Sequence, residues 1–239
     1  MINNRVFAII PARGGSKRIP NKNIKLFAGQ PIISYSIRVA QESGLFERVI
    51  VSTDSPAIAA IAREYGAEVP FLRPAELAND FAGTAEVVCH AIEWLAQEGM
   101  PPEFICCIYA TAPFIQASYL KQGYDKLVSS DATTVFSVTT YPYPIYRSLR
   151  ITEDDHIKLI WPDYENIRSQ DLSEAYHDAG QFYWANTNKL MKGKSLFAKD
   201  SSPVILPRYL VQDIDTAEDW DTAEMMFAAM KAKTESKNK

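Results

Sequence analysis

The chain has 239 residues, 47% of them hydrophobic and 23% charged, which suits a single α/β domain over residues 1–239 with a full hydrophobic core. Its net charge of −4 argues against a general nucleic-acid-binding surface, so any phosphate site requires a local basic cluster. The three cysteines lack zinc-ligand spacing, and no stretch resembles a signal peptide or a membrane span. We therefore expect a cytoplasmic protein with free thiols and with no nucleic-acid or membrane partner.

The first half of the chain alternates strand and helix patterns. Continuous apolar runs predict buried strands, and apolar residues at helical spacing, with capping and glycine signals, predict helices. In chain order the predicted elements are a strand at 6–10, a helix at 32–43, a strand at 48–53, a helix that begins after Ser55, a short strand at 68–71, a helix at 84–97, a strand at 104–109, a helix at 117–129 and a strand at 134–140. Repeated β-α units predict a mostly parallel sheet covered by helices.

The pattern changes at Tyr141, where two Tyr-Pro pairs cannot continue a central strand. Residues 141–178 are irregular, aromatic and charged, which indicates an inserted arm or flap rather than a separate domain. Two further strands are predicted at 181–185 and 204–206. Thr216 is placed to cap a last helix that runs through Met230.

The loop after the first strand, residues 11–23, is the most informative segment. It combines two glycines with four cations, Arg13, Lys17, Arg18 and Lys22. Ligands of parallel sheets lie beyond the carboxyl ends of the strands, and glycines let backbone N–H groups approach phosphate oxygens. Four cations suit a triphosphate of about four negative charges. The loop matches neither the P-loop nor the dinucleotide pattern, and a solvated basic loop is the alternative interpretation.

An acidic pair lies near the C-terminus, where Asp213 and Asp215 are two residues apart. On an extended segment both carboxylates point to one face, and hard oxygen ligands of this kind suit Mg²⁺ that also binds substrate phosphates. The alternative is structural, because Asp215 or Thr216 can cap the following helix and Asp219 can favour its N-terminus.

These segments together resemble the cytidylyltransferases that make CMP-activated sialic acids, the acylneuraminate cytidylyltransferases. The resemblance runs from about the fifth residue to the last helix. The segments that carry it are Ala12-Arg13-Gly14-Gly15-Ser16-Lys17 with Lys22-Asn23, Ser52-Thr53-Asp54, Arg73-Pro74-Ala75-Glu76-Leu77-Ala78, and Asp213-Ile214-Asp215 with Asp219-Trp220.

The resemblance implies a three-layer α/β/α fold of the nucleotide-diphospho-sugar transferase type, which is Rossmann-like, with an arm at 141–178 through which members form homodimers. It implies CTP as co-substrate, Mg²⁺ as cofactor and release of pyrophosphate. The catalytic set that it implies is Arg13, Lys17, Lys22, Asp213 and Asp215, with the metal held by Asp213 and Asp215. The nucleotide-binding set that it implies is Ala12, Arg13, Gly14, Gly15, Lys17, Lys22, Asn23, Arg73, Asp80 and Thr84.

Two segments depart from the sialic acid enzymes on the side where the family binds its sugar. Tyr109-Ala110-Thr111-Ala112-Pro113 replaces a run that begins with glutamine, and His177-Asp178-Ala179-Gly180-Gln181-Phe182-Tyr183-Trp184 replaces an Arg-x-Asn-Gly-like segment. The second segment resembles the pseudaminic acid branch of the family, whose sugar bears two acylamino groups. The sugar-binding set predicted on this basis is Tyr109, Thr111, Arg147, His177, Gln181, Tyr183 and Gln212, with Arg147 and Arg168 as candidates for the sugar carboxylate.

The predicted reaction is in-line attack of the anomeric hydroxyl of the sugar acid on the α-phosphorus of CTP. Positioning and charge neutralisation carry such phosphoryl chemistry. Three alternatives remain open at this stage: a cytidylyltransferase for N-acetylneuraminate, legionaminate or KDO, a metal-dependent glycosyltransferase of similar fold, and a non-catalytic nucleotide-binding regulator.

Overall fold

A computed structural model describes residues 5–79 and 82–237 of the chain. Its strands are β1 Val6–Pro11, β2 Leu26–Phe27, β3 Gln30–Pro31, β4 Arg48–Ser52, β5 Phe104–Ile108, β6 Thr134–Thr140, β7 Leu149–Ile151, β8 Ile157–Leu159, β9 Tyr176–Asn186 and β10 Ser202–Ile205. Its α-helices are α1 Ile33–Glu42, α2 Pro56–Glu64, α3 Thr84–Gln97, α4 Ala117–Val128, α5 Thr187–Gly193 and α6 Ala217–Lys237. Within these residues no helix is long and apolar enough to cross a membrane.

The central sheet has six strands in the order β10-β6-β9-β5-β1-β4. Strand β1 pairs parallel with both β4 and β5, and β10 pairs parallel with β6. Strand β9 lies between β5 and β6 and pairs antiparallel with both. The prediction of a mostly parallel sheet is therefore confirmed, with β9 as its antiparallel member.

Helices cover both faces of this sheet because alternate side chains of each buried strand point to opposite faces. Val6 and Ala8 of β1 belong to the apolar cluster that includes residues of α1, α2 and α4. Phe7 and Ile9 of the same strand belong to a second cluster that includes residues of α3 and α5. The two clusters make the predicted three-layer α/β/α arrangement, which is confirmed.

A third apolar cluster joins the two ends of the chain. Helix α6 packs Trp220 and Phe227 against Phe27, with ring centroids 5.6 and 5.3 Å apart. Ile19 of the basic loop and Ile214 of the acidic segment are buried in the same cluster. Burial of these side chains holds the acidic segment beside the loop that follows β1, although these two segments lie at opposite ends of the sequence.

Two of the predicted strands differ from the structure by more than two residues, and the last helix, predicted through Met230, extends to Lys237. The strand predicted at 68–71 is wrong, because this segment contributes only the isolated bridge of Glu68 with Ile50; a second isolated bridge, of Leu72 with Thr53, lies just after it. The strand predicted at 181–185 is longer, since β9 begins at Tyr176, where it pairs with Thr140. The last residues predicted for the arm, 176–178, therefore belong to the central sheet.

The sequence indicated an irregular arm, but the remaining part of the arm contains regular structure. It contains a hairpin in which β7 pairs with β8, placing Leu149 opposite Leu159 and Ile151 opposite Ile157. The side chains of Leu149, Ile151 and Ile157 are 56%, 74% and 68% exposed. The hairpin thus carries apolar side chains that nothing in the described chain covers.

Candidate active site

An open cleft with a volume of about 590 Å³ lies at the edge of the sheet where β1 and β5 end. The loops after β1 and β4 meet there, because Pro11 pairs with Ser52, and β9 passes nearby, since Tyr109 N–H donates to the carbonyl of Gln181. The cleft is lined by Pro11, Arg13, Ser16, Lys17, Arg18, Lys22, Asn23, Arg73, Leu77, Asn79, Ala82, Thr84, Val87, Tyr109, Ala110, Thr111 and Asp215.

The glycine-containing loop is held in place by hydrogen bonds at both ends. Gly14 N–H donates to Asp54 Oδ1 at 2.9 Å, and Asn23 Nδ2 donates to the carbonyl of Arg13 at 2.9 Å. A Cβ added to Gly14 would lie 3.0 Å from Ser55 Cβ, so this loop residue must be small. Asn23 thereby acts on the loop backbone while it also lines the cleft.

The two neighbouring loop residues differ in their surroundings. Ala12 is buried, and its N–H donates to the carbonyl of Ser52 at 2.9 Å, so it anchors the loop to β4 rather than lining the cleft. A Cβ added to Gly15 would meet nothing within 4 Å. The backbone of Gly15 is therefore open to a close approach from outside the protein.

The basic loop and the acidic segment meet in the cleft. Lys22 Nζ donates to the carbonyl of Ile214 at 2.6 Å and lies 3.2 Å from Asp215 Oδ1. Arg18 approaches the same Asp215 oxygen at 2.9 Å. The cationic loop and the carboxylate segment thus share one site, as a site for an anionic, metal-bound ligand requires.

Different residues of the acidic segment fill the structural and the functional roles that the sequence left open. Thr216 Oγ1 accepts from the N–H of Asp219 at 3.2 Å, and Asp219 Oδ2 accepts from the N–H of Thr216 at 2.7 Å. These reciprocal bonds cap α6. The pKa of Asp219 is lowered, chiefly because the Thr216 hydroxyl donates to Asp219 Oδ2 at 2.8 Å and also because the Thr216 N–H donates to it. Because Thr216 and Asp219 cap the helix, the carboxylate of Asp215 faces the cleft instead.

Asp213 has a perturbed carboxylate. Neighbouring protein atoms desolvate it and the negative charge of Asp215 lies nearby, so its pKa is raised, although Lys22 offsets part of the shift. Asp213 is partly exposed to solvent, but it is not among the residues that line the cleft. Asp215 is the residue of the acidic segment that lines it.

The chemistry of this pair suits a divalent cation. The pKa of Asp213 is raised because its charged form is disfavoured, so this carboxylate gains from a nearby cation. Two carboxylates fit Mg²⁺ when phosphate oxygens and waters complete its ligands, although no cluster of three or more His, Cys, Asp or Glu occurs in residues 5–79 and 82–237.

Arg73 is buried beyond the end of β4, where its guanidinium donates to the hydroxyl and carbonyl oxygens of Ser52 and to the carbonyl of Leu77. Burial lowers the pKa of Arg73, while the charge of Asp54 opposes this effect. Arg73 lines the cleft and at the same time braces the loops around it. Arg13, which also lines the cleft, donates to the carbonyl of Asn79 at 3.2 Å.

Two of the predicted sugar residues, Tyr109 and Thr111, line the cleft. The Tyr109 hydroxyl lies 3.3 Å from Thr84 Oγ1. This contact connects a residue of the predicted sugar-binding set, Tyr109, to one of the predicted nucleotide-binding set, Thr84. Asp80, predicted on the cytidine side, lies outside the described residues.

Three other predicted sugar residues do not line the cleft. Gln181 is only 4% exposed and donates its amide to the carbonyl of Leu210, so it joins β9 to the segment before α6. Tyr183 is fully buried, and its hydroxyl donates to the carboxylate of Asp178. His177 Nδ1 lies 2.8 Å from the carbonyl oxygen of Asp178, in the packing role that a single histidine commonly has.

The last two predicted sugar residues are held by local bonds. Arg147 lies in the arm and donates to the carbonyls of Glu165 and Ile167. Gln212 donates to the carbonyl of Asp213 at 3.0 Å. Neither Arg147 nor Gln212 is among the residues that line the cleft of its own chain.

Sequence reasoning gave no role to Asp54 and Asn79, and it did not foresee the partner of Arg18. Asp54 holds the loop through Gly14, Asn79 lines the cleft, and Arg18 pairs with Asp215. The position of Asp54 shortly after a buried strand was an available signal. No sequence signal could predict the pairing of Arg18 with Asp215, because Asp215 lies near the other end of the sequence.

The sheet order, the glycine loop and the carboxylates at one sheet edge define a nucleotide-binding α/β enzyme. The chain belongs to the cytidylyltransferase family, whose sequence model matches residues 7–224. The prediction of a cytidylyltransferase, a nucleotidyltransferase enzyme, is confirmed by this match.

Relatives of known sequence and structure agree with this assignment. The chain is 42% identical over 92% of its length, and over 94% of the relative, to the pseudaminic acid cytidylyltransferase of Campylobacter jejuni serotype O:2. It is 31% identical to the CMP-N,N'-diacetyllegionaminic acid synthase of Legionella pneumophila, covering 93% of this chain and 96% of that one. Its fold is similar to a CMP:2-keto-3-deoxy-manno-octonic acid synthetase complexed with CTP, with a TM-score of 0.69, 13% identity, and coverage of 95% and 100%.

Proposed function

We propose that this enzyme transfers CMP from CTP to the anomeric hydroxyl of pseudaminic acid and releases pyrophosphate. The observation that carries the proposal is the cleft in which Lys22 and Arg18 meet Asp215 beside the glycine loop. The choice of sugar rests on the 42% identity to the Campylobacter jejuni pseudaminic acid cytidylyltransferase over nearly the whole of both chains.

In this proposal the basic loop binds the triphosphate. Arg13, Lys17 and Lys22 line the cleft and neutralise the charge that develops on the leaving pyrophosphate. The backbone N–H of Gly15 is the proposed donor to phosphate oxygens, since Gly15 has open space for that approach. The N–H of Gly14 instead donates to Asp54 and holds the loop. Positioning of this kind supports in-line attack without a covalent intermediate.

Asp213 and Asp215 would hold Mg²⁺, which when bound polarises the α-phosphate and lowers the pKa of a coordinated hydroxyl. Lys22 and Arg18 form ion pairs with Asp215. The same cations lie next to the proposed phosphate positions, so nucleotide binding is expected to redistribute them from Asp215 to the phosphates. Asp213→Ala is expected to abolish turnover while leaving the far-UV circular dichroism spectrum unchanged.

The direct test is a panel of sugar acids with CTP and Mg²⁺, followed by release of pyrophosphate. We expect pseudaminic acid to give the highest kcat/KM, ahead of legionaminate, N-acetylneuraminate and KDO. A higher kcat/KM for one of the other sugars would reject the proposed substrate while leaving the enzyme class unchanged. No pyrophosphate release with any sugar, or consumption of a nucleotide sugar without CTP, would reject the reaction itself.

We also propose that the arm forms a homodimer through the β7–β8 hairpin. Its support is the exposed apolar set Leu149, Ile151 and Ile157, because grouped exposed apolar side chains are typical of surfaces that bind a partner. Arg147 and Arg168, both in the arm, are the candidates for reaching the sugar carboxylate of the second subunit.

The dimer proposal is tested by Ile151→Asp, which places a charge in the apolar surface of the hairpin. Size-exclusion chromatography with light scattering should show a dimer for the wild type and a monomer for this variant. Met225→Asp, at an exposed apolar residue of α6, is the matched control and should stay dimeric. A wild-type monomer at micromolar concentration would contradict the proposal.

A further inference from the structure

The peptide unit that joins Arg13 to Gly14 is held at both of its polar groups. Its carbonyl oxygen, which belongs to Arg13, accepts from Asn23 Nδ2 at 2.9 Å, and its N–H, which belongs to Gly14, donates to Asp54 Oδ1 at 2.9 Å. No cis peptide bond occurs in the part of the chain that the structure describes, so the carbonyl and the N–H of this unit point in opposite directions. Asn23 and Asp54 therefore hold the peptide plane from opposite sides.

The loop needs such a restraint because of its glycines. Gly14 must be small, since an added Cβ would lie 3.0 Å from Ser55 Cβ. Glycine has more backbone freedom than any other residue, and Gly15 follows directly. Rotation of the peptide unit before Gly14 would redirect the N–H of Gly15, which is the proposed phosphate donor. The hydrogen bond to Asp54 thus fixes a direction that the glycine backbone does not fix by itself.

Asp54 is suited to this task because the backbone on both sides of it is held in place. Thr53 is fully buried, and its carbonyl accepts from the N–H of Arg73 at 2.8 Å. Ser55 caps α2, where its hydroxyl accepts from the N–H of Ile58. The carboxylate of Asp54 therefore reaches the loop from a fixed junction between β4 and α2, although Asp54 is not among the residues that line the cleft.

The charge of Asp54 has a separate effect on Arg73, which is only 6% exposed. Burial lowers the pKa of Arg73, the charge of Asp54 raises it, and the charge of Arg13 lowers it. Asp54 thus stabilises a buried cation as well as the loop. An amide at this position would keep an oxygen that accepts a hydrogen bond but would lose the charge, so substitution separates the two effects.

We propose that Asp54 is a positioning residue that holds the peptide between Arg13 and Gly14 in the orientation in which the loop binds the pyrophosphate part of CTP. Its hydrogen bond to Gly14, rather than its charge, carries this role. The inference rests on the proposed function and adds to it a residue outside the cleft that sets the direction of the phosphate loop. A loop that adopts the binding orientation for only a fraction of the time lowers the apparent affinity by that fraction.

Calorimetric titration with CTP and with CMP, each in the presence of Mg²⁺, provides the measurement. CMP lacks the phosphates that the loop is proposed to hold, so it reports on the rest of the cleft. Asp54→Ala removes the acceptor of the Gly14 N–H. We expect it to raise the Kd of CTP roughly tenfold, the scale of one hydrogen bond to a charged group, while the Kd of CMP changes less than about twofold.

Asp54→Asn separates the hydrogen bond from the charge. Its amide oxygen accepts from the Gly14 N–H, so this variant should bind CTP at least as tightly as the wild type. It should nevertheless be less stable in urea, because Arg73 loses the charge that opposes the effect of its burial.

Asp200→Ala is the matched control. Asp200 also accepts from a backbone N–H, that of Thr133 at 3.0 Å, but it lies beside the amino end of β6. Strands β5 and β6 both pair antiparallel with β9, so this end of β6 is at the sheet edge opposite the cleft. Asp200→Ala should therefore lower stability and leave the Kd of CTP unchanged.

Three results would overturn the inference. They are an unchanged Kd of CTP in Asp54→Ala, an equal rise in the Kd of CMP, and an Asp54→Asn protein that binds CTP less tightly than the wild type. The last result decides the question even if Asp54→Ala does not fold. A wild-type protein that binds neither nucleotide would instead remove the proposed function, and the inference with it.

Discussion

The phosphate loop offers two adjacent glycines that the structure predicts to behave differently. Gly14 packs against the start of α2, where an added Cβ would lie 3.0 Å from Ser55 Cβ and 3.6 Å from Asp54 Oδ2. An added Cβ at Gly15 would meet nothing within 4 Å. Neither glycine is among the residues with positive φ, so the difference between them is one of space rather than of backbone conformation.

The magnitude for Gly14→Ala follows from these contacts. Carbon atoms pack best at about 3.5–4.0 Å, so the loop must move by a few tenths of an ångström or more. Overpacking of this kind costs about 1–3 kcal/mol. Movement of the loop also stretches the 2.9 Å bond from Gly14 N–H to Asp54, whose loss costs about 1 kcal/mol. We therefore expect Gly14→Ala to lower the free energy of unfolding by about 1–4 kcal/mol, and Gly15→Ala to change it by less than about 0.5 kcal/mol.

Urea unfolding without ligand measures the effect on stability, and titration with CTP measures the effect on binding. Gly15→Ala should weaken CTP binding at normal stability, since its methyl group occupies the open space proposed for phosphate. A Gly14→Ala protein as stable as the wild type would refute the packing argument. A Gly15→Ala protein that binds CTP normally would remove Gly15 from the phosphate site.

Two further predictions concern Asp213 and Gly123. The pKa of Asp213 is raised on folding, so its negative charge destabilises the folded state at neutral pH. This cost decreases as the pH falls through the raised pKa and vanishes below the pKa of the unfolded state. Asp213→Asn should therefore raise the melting temperature at pH 7, and the difference from the wild type should vanish in acid. The variant should also lose the rise in melting temperature that Mg²⁺ with CTP gives the wild type. A melting temperature below that of the wild type at pH 7 would contradict the argument. Gly123→Ala in α4 would place a Cβ 2.6 Å from Cδ1 of Trp184, so we expect the free energy of unfolding measured in urea to fall by about 1–3 kcal/mol. Gly193→Ala, with open space around the added Cβ, should be nearly neutral.

Local elements of the fold could be predicted because their signals are local. The helix predicted at 84–97 coincides with α3, and the strand predicted at 6–10 ends one residue before β1 does. The segment 68–71 was mispredicted because four residues are too short to show a period, and Pro70 has no N–H with which to continue a strand ladder. It forms only an isolated bridge beside β4. The hairpin of the arm was missed for a different reason, since its strands have three residues each and give almost no periodic pattern.

The sequence by itself determined the chemistry of this protein: a cationic glycine loop after a buried strand, an acidic pair before the last helix, and their resemblance to cytidylyltransferases. Tertiary structure alone decided which side chains share the cleft. It brought Arg18 to Asp215, directed Thr216 and Asp219 to the helix cap, and buried Gln181 and Tyr183 away from the cleft that Tyr109 lines. The physical reason is that a residue type fixes what a side chain can bind, whereas strand order and apolar packing between distant segments fix what it meets.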